Sequence, residues 1–98
     1  MMIRHILFIT FTDCVLPEKI LTVRTAFLQI PDQIEGITGV EWGVNDSPEG
    51  KNAGFTHCVL MTFADEAARQ RYLRILHMMI LKRYFDRFCR ISSYWIIL

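Results

Sequence analysis

An α+β fold of order β-α-β-β-α-β is predicted by three features of this 98-residue sequence. Two segments, "IRHILFITF" near the start and "GFTHCVLMTF" at residues 54–63, place apolar residues in period two, which is the pattern of extended strands. One other segment repeats apolar residues every three or four positions, and a second runs long without proline or glycine behind an acidic start, both patterns of helices. Pro17, Pro31 and the cluster "DSPEGKNAG" then punctuate the chain between these segments.

Residues 2–12 carry β-branched and aromatic residues on both faces, so strand one belongs in the middle of a sheet. Pro17 suits a first helical turn, and Glu18 places a negative charge at its positive end. Ile20, Val23, Phe27 and Ile30 then form a helical stripe that Pro31 ends. "ITGVEWGVN" alternates through Ile37, Val40 and Trp42 as strand two, and "DSPEGKNAG" reads as the exposed loop to strand three. In strand three, Phe55, His57, Val59, Met61 and Phe63 share one side.

From about Asp65, "ADEAARQRYLRILHMMILKRYFDRFC" opens with acidic residues and holds no proline or glycine, the pattern of a long second helix. The tail "ISSYWIIL" is β-prone and is expected as an edge strand beside strand one. The sum is the ferredoxin-like sandwich: a four-stranded antiparallel sheet with two helices on one face, in a single domain over residues 1–98. Strands one and three are central neighbours about 4.8 Å apart, and His5 and His57 point the same way. Two helices leave the other face bare. Ile6, Phe8, Cys58 and Leu60 lie on it, so a homodimer through the sheet face is expected.

Composition narrows the function. The net charge of +1 comes from both signs spread along the chain, without the basic stripe that nucleic acid or an anionic membrane requires. No run approaches the ~18 consecutive apolar residues of a spanning helix, and Arg4, His5 and Asp13 interrupt the apolar start that would otherwise suggest a signal peptide. Cys14, Cys58 and Cys89 are odd in number and form no C-x-x-C pair, which reads as reduced thiols in a cytoplasm. His5, His57 and His77 lack the spacing of a metal site. Cys58 has the opposite parity to His57, so a Cys–His nucleophile pair is poorly aimed. Neither a metal nor another cofactor is expected.

The residues "IRHILFITF" and "EWGVNDSPEGKNAGFTHCVLMTFADEAARQRYL" resemble the stress-responsive dimeric α/β-barrel domain, over about residues 2–73. The resemblance implies a homodimer whose sheets pack into a barrel, in a family that includes a plant polyketide cyclase. It also implies that His5, His57 and Tyr72 line a pocket under the helices. As a cofactor-free cyclase, the protein would use His57 or His5 to take a proton from carbon beside a carbonyl, while the Tyr72 hydroxyl holds the developing enolate oxygen. The substrate would be a polyketide-like or aromatic small molecule. The alternative is a dimer that binds a small molecule, or serves structurally, without turnover. Taken singly, a histidine on an apolar face is ordinarily a core residue held by one hydrogen bond, and Tyr72 ordinarily packing.

After Leu73 the chain departs from the family ending "P-H-P-x-H", and His77 falls one position early for its last histidine. Read one nucleotide out of frame from before the Arg74 codon, the tail permits "PHPAHDDFETVFRPVLQDIIVLDY". There the ATG codons of Met78 and Met79 force the paired aspartates. The tail is therefore read as the product of a single-nucleotide slip, with true divergence as the rival and a defective copy of the barrel as one consequence. The gene sequence around codon 74 separates the two.

Overall fold

A computed structural model describes residues 2–46 and 54–97, with the strand path but not the side chains of residues 93–95. Strands β1 (Ile3–Phe11), β2 (Ile37–Val44), β3 (His57–Phe63) and β4 (Cys89–Ile97) form one antiparallel sheet in the order β2-β3-β1-β4. Helices α1 (Pro17–Leu28) and α2 (Glu66–Leu81) complete the expected β-α-β-β-α-β order. Apart from Asp46 and Gly54, the expected loop "DSPEGKNAG" lies outside the described residues.

Alternation along β1 decides what the helices cover. Ile3, His5, Leu7, Ile9 and Phe11 are buried, together with Val59, Met61 and Phe63 of β3. From α1, Val23 and Phe27 press onto this layer, and from α2, Ala68, Tyr72 and Met79. Each such large apolar side chain stabilises the fold by roughly 1.5–3 kcal/mol on burial. Ile6, Phe8, Cys58 and Leu60 point to the other side, which neither helix covers, and are only partly buried.

Local chemistry sets the helix ends. Pro17 starts α1, and Pro31 ends it by forcing a single 3-10 turn, Ile30–Asp32, that still buries Ile30. Asp65 caps α2 by accepting a hydrogen bond from the Ala68 N–H at 2.9 Å. Gly36, at φ 93°, lets the first turn of α2 approach the chain before β2; a Cβ there would stand 2.6 Å from that of Ala68.

Three local readings are corrected. The second helix does not run on toward Cys89. It stops at Leu81, where Arg83 takes a left-handed conformation (φ 60°), its N–H bonds to the Ile80 carbonyl, and the Tyr84 N–H bonds back to the Met79 carbonyl at 3.0 Å. This is a Schellman ending built on arginine instead of glycine. Asp86 then holds the following turn by accepting from the Phe88 and Cys89 N–H groups. Phe55 does not share the side of His57. The chain turns at Gly54 (φ 83°), β3 begins only at His57, and the Phe55 ring packs against Phe8 of the uncovered face at 4.6 Å, tilted by 55°. β4 begins at Cys89, before the expected "ISSYWIIL", and seats Cys89 in the core.

Both outer strands pair irregularly. The register of β4 on β1 shifts between Phe8 and Ile9, where Ser92 is the extra residue, and Ser92 hydrogen-bonds the Thr10 hydroxyl. The register of β2 on β3 shifts between Ile37 and Gly39.

Because Arg83 pays the steric cost of a left-handed residue, Arg83→Gly is expected to stabilise the fold by about 1 kcal/mol. Urea unfolding with an unchanged denaturant slope is the measurement, and a loss of stability would refute this account of the helix end.

Candidate functional site beside His5

His5 is the third residue of β1, opposite Met61 on β3 and Ile96 on β4, and is 2% exposed. α2 passes over it. The helical period brings Arg69, Leu73, Leu76 and Ile80 to the part of α2 above β1 and β4, with Tyr72 beside them. The His5 and Tyr72 rings meet nearly edge to face, with centroids 5.2 Å apart at 66°. The other side of Tyr72 faces Phe63 at 5.3 Å. Its hydroxyl is buried and has no hydrogen-bond partner among the described residues. Burial pushes this phenol well above its ordinary pKa of 10.0.

A cavity of about 300 Å³ opens beside this pair, lined by His5, Leu7, Arg69, Leu73, Leu76, Ile80 and Ile91. Among the described residues its wall is hydrocarbon apart from the imidazole and the guanidinium. Burial first, and the positive charge of Arg69 second, lower the pKa of His5 from 6.5 to about 4, so the ring is neutral at pH 7. Arg69 donates from Nη1 to Glu66 Oε1 at 2.7 Å, one helical turn back. Its Nε is buried without an acceptor among the described residues. Residue typing did not single out Arg69. The available signal was its place three residues before Tyr72 on a helix.

His57 is elsewhere. It shares the helix-covered side of the sheet, but its partner on β1 is Ile9, four residues along from His5. At 3.3 Å per residue that is about 13 Å. Its ring sits between Phe11, 4.9 Å away and nearly perpendicular, and Trp42 at 5.3 Å. Nδ1 hydrogen-bonds Thr56 Oγ1 at 2.9 Å, and partial burial lowers the pKa of the ring. The structure thus joins His5 to Tyr72 by ring contact, while the cavity is lined by His5 and by neither Tyr72 nor His57: parity gave the common face, whereas the antiparallel register sets the distance. His77 is exposed on α2. Among the described residues no three His, Cys, Asp or Glu side chains gather as metal ligands, and no helix is long and apolar enough to cross a membrane.

Two measurements check this geometry. Between pH 4 and 6.5 the unfolded chain holds a proton on His5 that the folded chain releases, so stability rises with pH across that window. Acidification from pH 6.5 to 4 is expected to cost roughly 3 kcal/mol through this group, a slope that His5→Gln removes in urea unfolding at stepped pH. Tyr72→Phe deletes a buried hydroxyl that has no partner among the described residues and is expected to raise stability by about 1 kcal/mol. A decrease of that size would mean that the hydroxyl is satisfied.

Comparison with known proteins agrees with this architecture. The family described as "Stress responsive A/B Barrel Domain" matches residues 3–92, beyond Leu73 and into β4. The Arabidopsis thaliana stress-response A/B barrel domain-containing protein HS1 is 31% identical over 71 residues, which cover 72% of this chain. The chain spans 65% of the length of that relative. Among solved structures, a hydroxynitrile lyase from Passiflora edulis superposes with a TM-score of 0.77 at 21% identity, covering 99% of this chain and 94% of the other. A dimeric ferredoxin-like protein of unknown function from Jannaschia sp. superposes with a TM-score of 0.75 at 18% identity, covering 99% and 96%. At those identities the two structures speak for the fold, and the family match settles kinship: this chain belongs to the stress-responsive A/B barrel family.

Proposed function

We propose that this protein acts as a homodimer, closed through the bare face of its sheet, that binds a small and largely apolar molecule beside His5. The observation that carries the binding reading is the cavity of about 300 Å³ whose apolar wall includes that buried imidazole. Its size falls at the lower end of small-molecule sites. Leu76 and Ile80, from the part of α2 that departs from the family pattern, line the space without filling it. This counts against a defective copy whose pocket has closed. The uncovered strip of Ile6, Phe8, Cys58 and Leu60 supports the dimer, as does the dimeric state of structural neighbours such as the Jannaschia protein.

A second reading, cofactor-independent proton transfer of the cyclase kind, is favoured by one observation: among the described residues the Tyr72 hydroxyl has no hydrogen-bond partner, while its ring touches His5. A carbonyl compound bound there would give up a proton from the adjacent carbon to the neutral imidazole, and the phenol would hold the enolate oxygen. A hydroxynitrile lyase shares the fold, which supports a catalytic use of this architecture. In this reading His57 packs the far end of the sheet and the reaction does not need it.

Two experiments test these readings. Phe8→Arg places a charge on the bare face and is expected to convert a dimer into a folded monomer in sedimentation equilibrium; a wild type that sediments as a monomer rejects the assembly. For the site, acetophenone is the probe, followed by NMR shifts of His5 and by deuterium uptake at its methyl group. Binding without faster uptake leaves a binding protein. Uptake that is accelerated, lost in His5→Gln and kept in His57→Ala establishes proton transfer at His5. Shifts confined to residues away from the cavity reject both.

A further inference from the structure

Among the described residues Arg69 is the one charged side chain lining the His5 cavity, and neither the binding reading nor the proton-transfer reading uses it. Its guanidinium is fixed from one side: Nη1 donates to Glu66 Oε1 at 2.7 Å, and that oxygen also accepts from Gln70 Nε2 at 2.8 Å. The Glu66 side chain is 55% exposed, against 20% for Arg69, so the neutralising carboxylate stands toward solvent while the guanidinium lies inward. The Nε–H is buried and has no acceptor among the described residues. A buried donor of this kind weakens the fold until something accepts from it. Arginine stays protonated at any working pH, so the acceptor that gains most is anionic, in a charge-assisted bond strengthened by the low dielectric of an apolar wall. Leu7, Leu73, Leu76 and Ile80 supply that wall and offer nothing polar to the rest of a ligand.

We propose that Arg69 makes the cavity beside His5 a site for small monocarboxylates, with one carboxylate oxygen accepting from Nε and the hydrocarbon body lying among Leu7, Leu73, Leu76 and Ile80. This rests on the reading of the cavity as a ligand site and adds the class of ligand. Arg69 is then the specificity-determining residue. Glu66 is a positioning residue that holds the guanidinium with Nε free.

The test compares hexanoate with 1-hexanol, two probes of the same chain length that differ in charge. Each is titrated at pH 7 into the full chain while the Arg69 Nε–H and His5 resonances are followed by NMR. Hexanoate is expected to bind at least about ten-fold tighter than hexanol and to shift the Nε–H resonance. Arg69→Gln is expected to abolish that preference while hexanol still binds. Equal affinities of the two probes for the wild type overturn the carboxylate site and leave the cavity a ligand site. If neither probe moves a cavity resonance up to its solubility, the ligand-site reading falls, and the carboxylate site with it. Should Arg69→Gln fail to fold, the wild-type comparison decides by itself.

Discussion

The antiparallel pairing of β1 with β3 is the constraint on which the molecule turns. These two strands lie at the centre of the sheet, so their register fixes the neighbours of every side chain beneath the helices. Ile9 opposite His57 and His5 opposite Met61 place the two imidazoles at different levels of one face. A slip of one residue would turn Ile3, Leu7, Ile9 and Phe11 toward the bare side and expose the core. The packing of α1 and α2 against a single face therefore enforces the register, and the register in turn decides that Tyr72 meets His5.

The site that results departs from ordinary core design. A ring held neutral by burial and a nearby cation, and a phenol and a guanidinium Nε that have no hydrogen-bond partner among the described residues, all lie within one patch under α2. A core selected only for stability would place hydrocarbon there. Such departures from local consistency gather where a protein handles something other than itself. His57 presents the contrast: its ring is enclosed by Phe11 and Trp42 and bonded to Thr56, which is how a polar group settles into a structural role.

Much of the fold was legible because period two and period 3.6 are written directly in residue order. The alternation of β1 and the stripe through Val23 and Phe27 could be read that way, while acidic residues marked the start of α2 near Asp65 and the topology placed the tail at an edge. Distances along the sheet were not legible, since parity names a face but gives no position on it. The end of α2 was hidden as well, because a left-handed arginine carries none of the signals that a glycine would. Phe55 misled for a related reason: its alternation with His57 is intact in the sequence, and the turn at Gly54 breaks it in space. Arg69 was not legible as a lining residue because only the packing of α2 over β1 brings it to the His5 cavity.

The interrupted outer strands bear on how the molecule behaves in a crowded solution. β2 and β4 each present a free row of amides and carbonyls, which a foreign strand could extend into a fibril if the row were long and straight. The shifts at Ser92 and between Ile37 and Gly39 break each row into shorter, differently twisted runs. A protein more than half apolar is thereby protected against polymerising through its flanks, and lateral growth is discouraged at both borders while the flat of the sheet stays available for association.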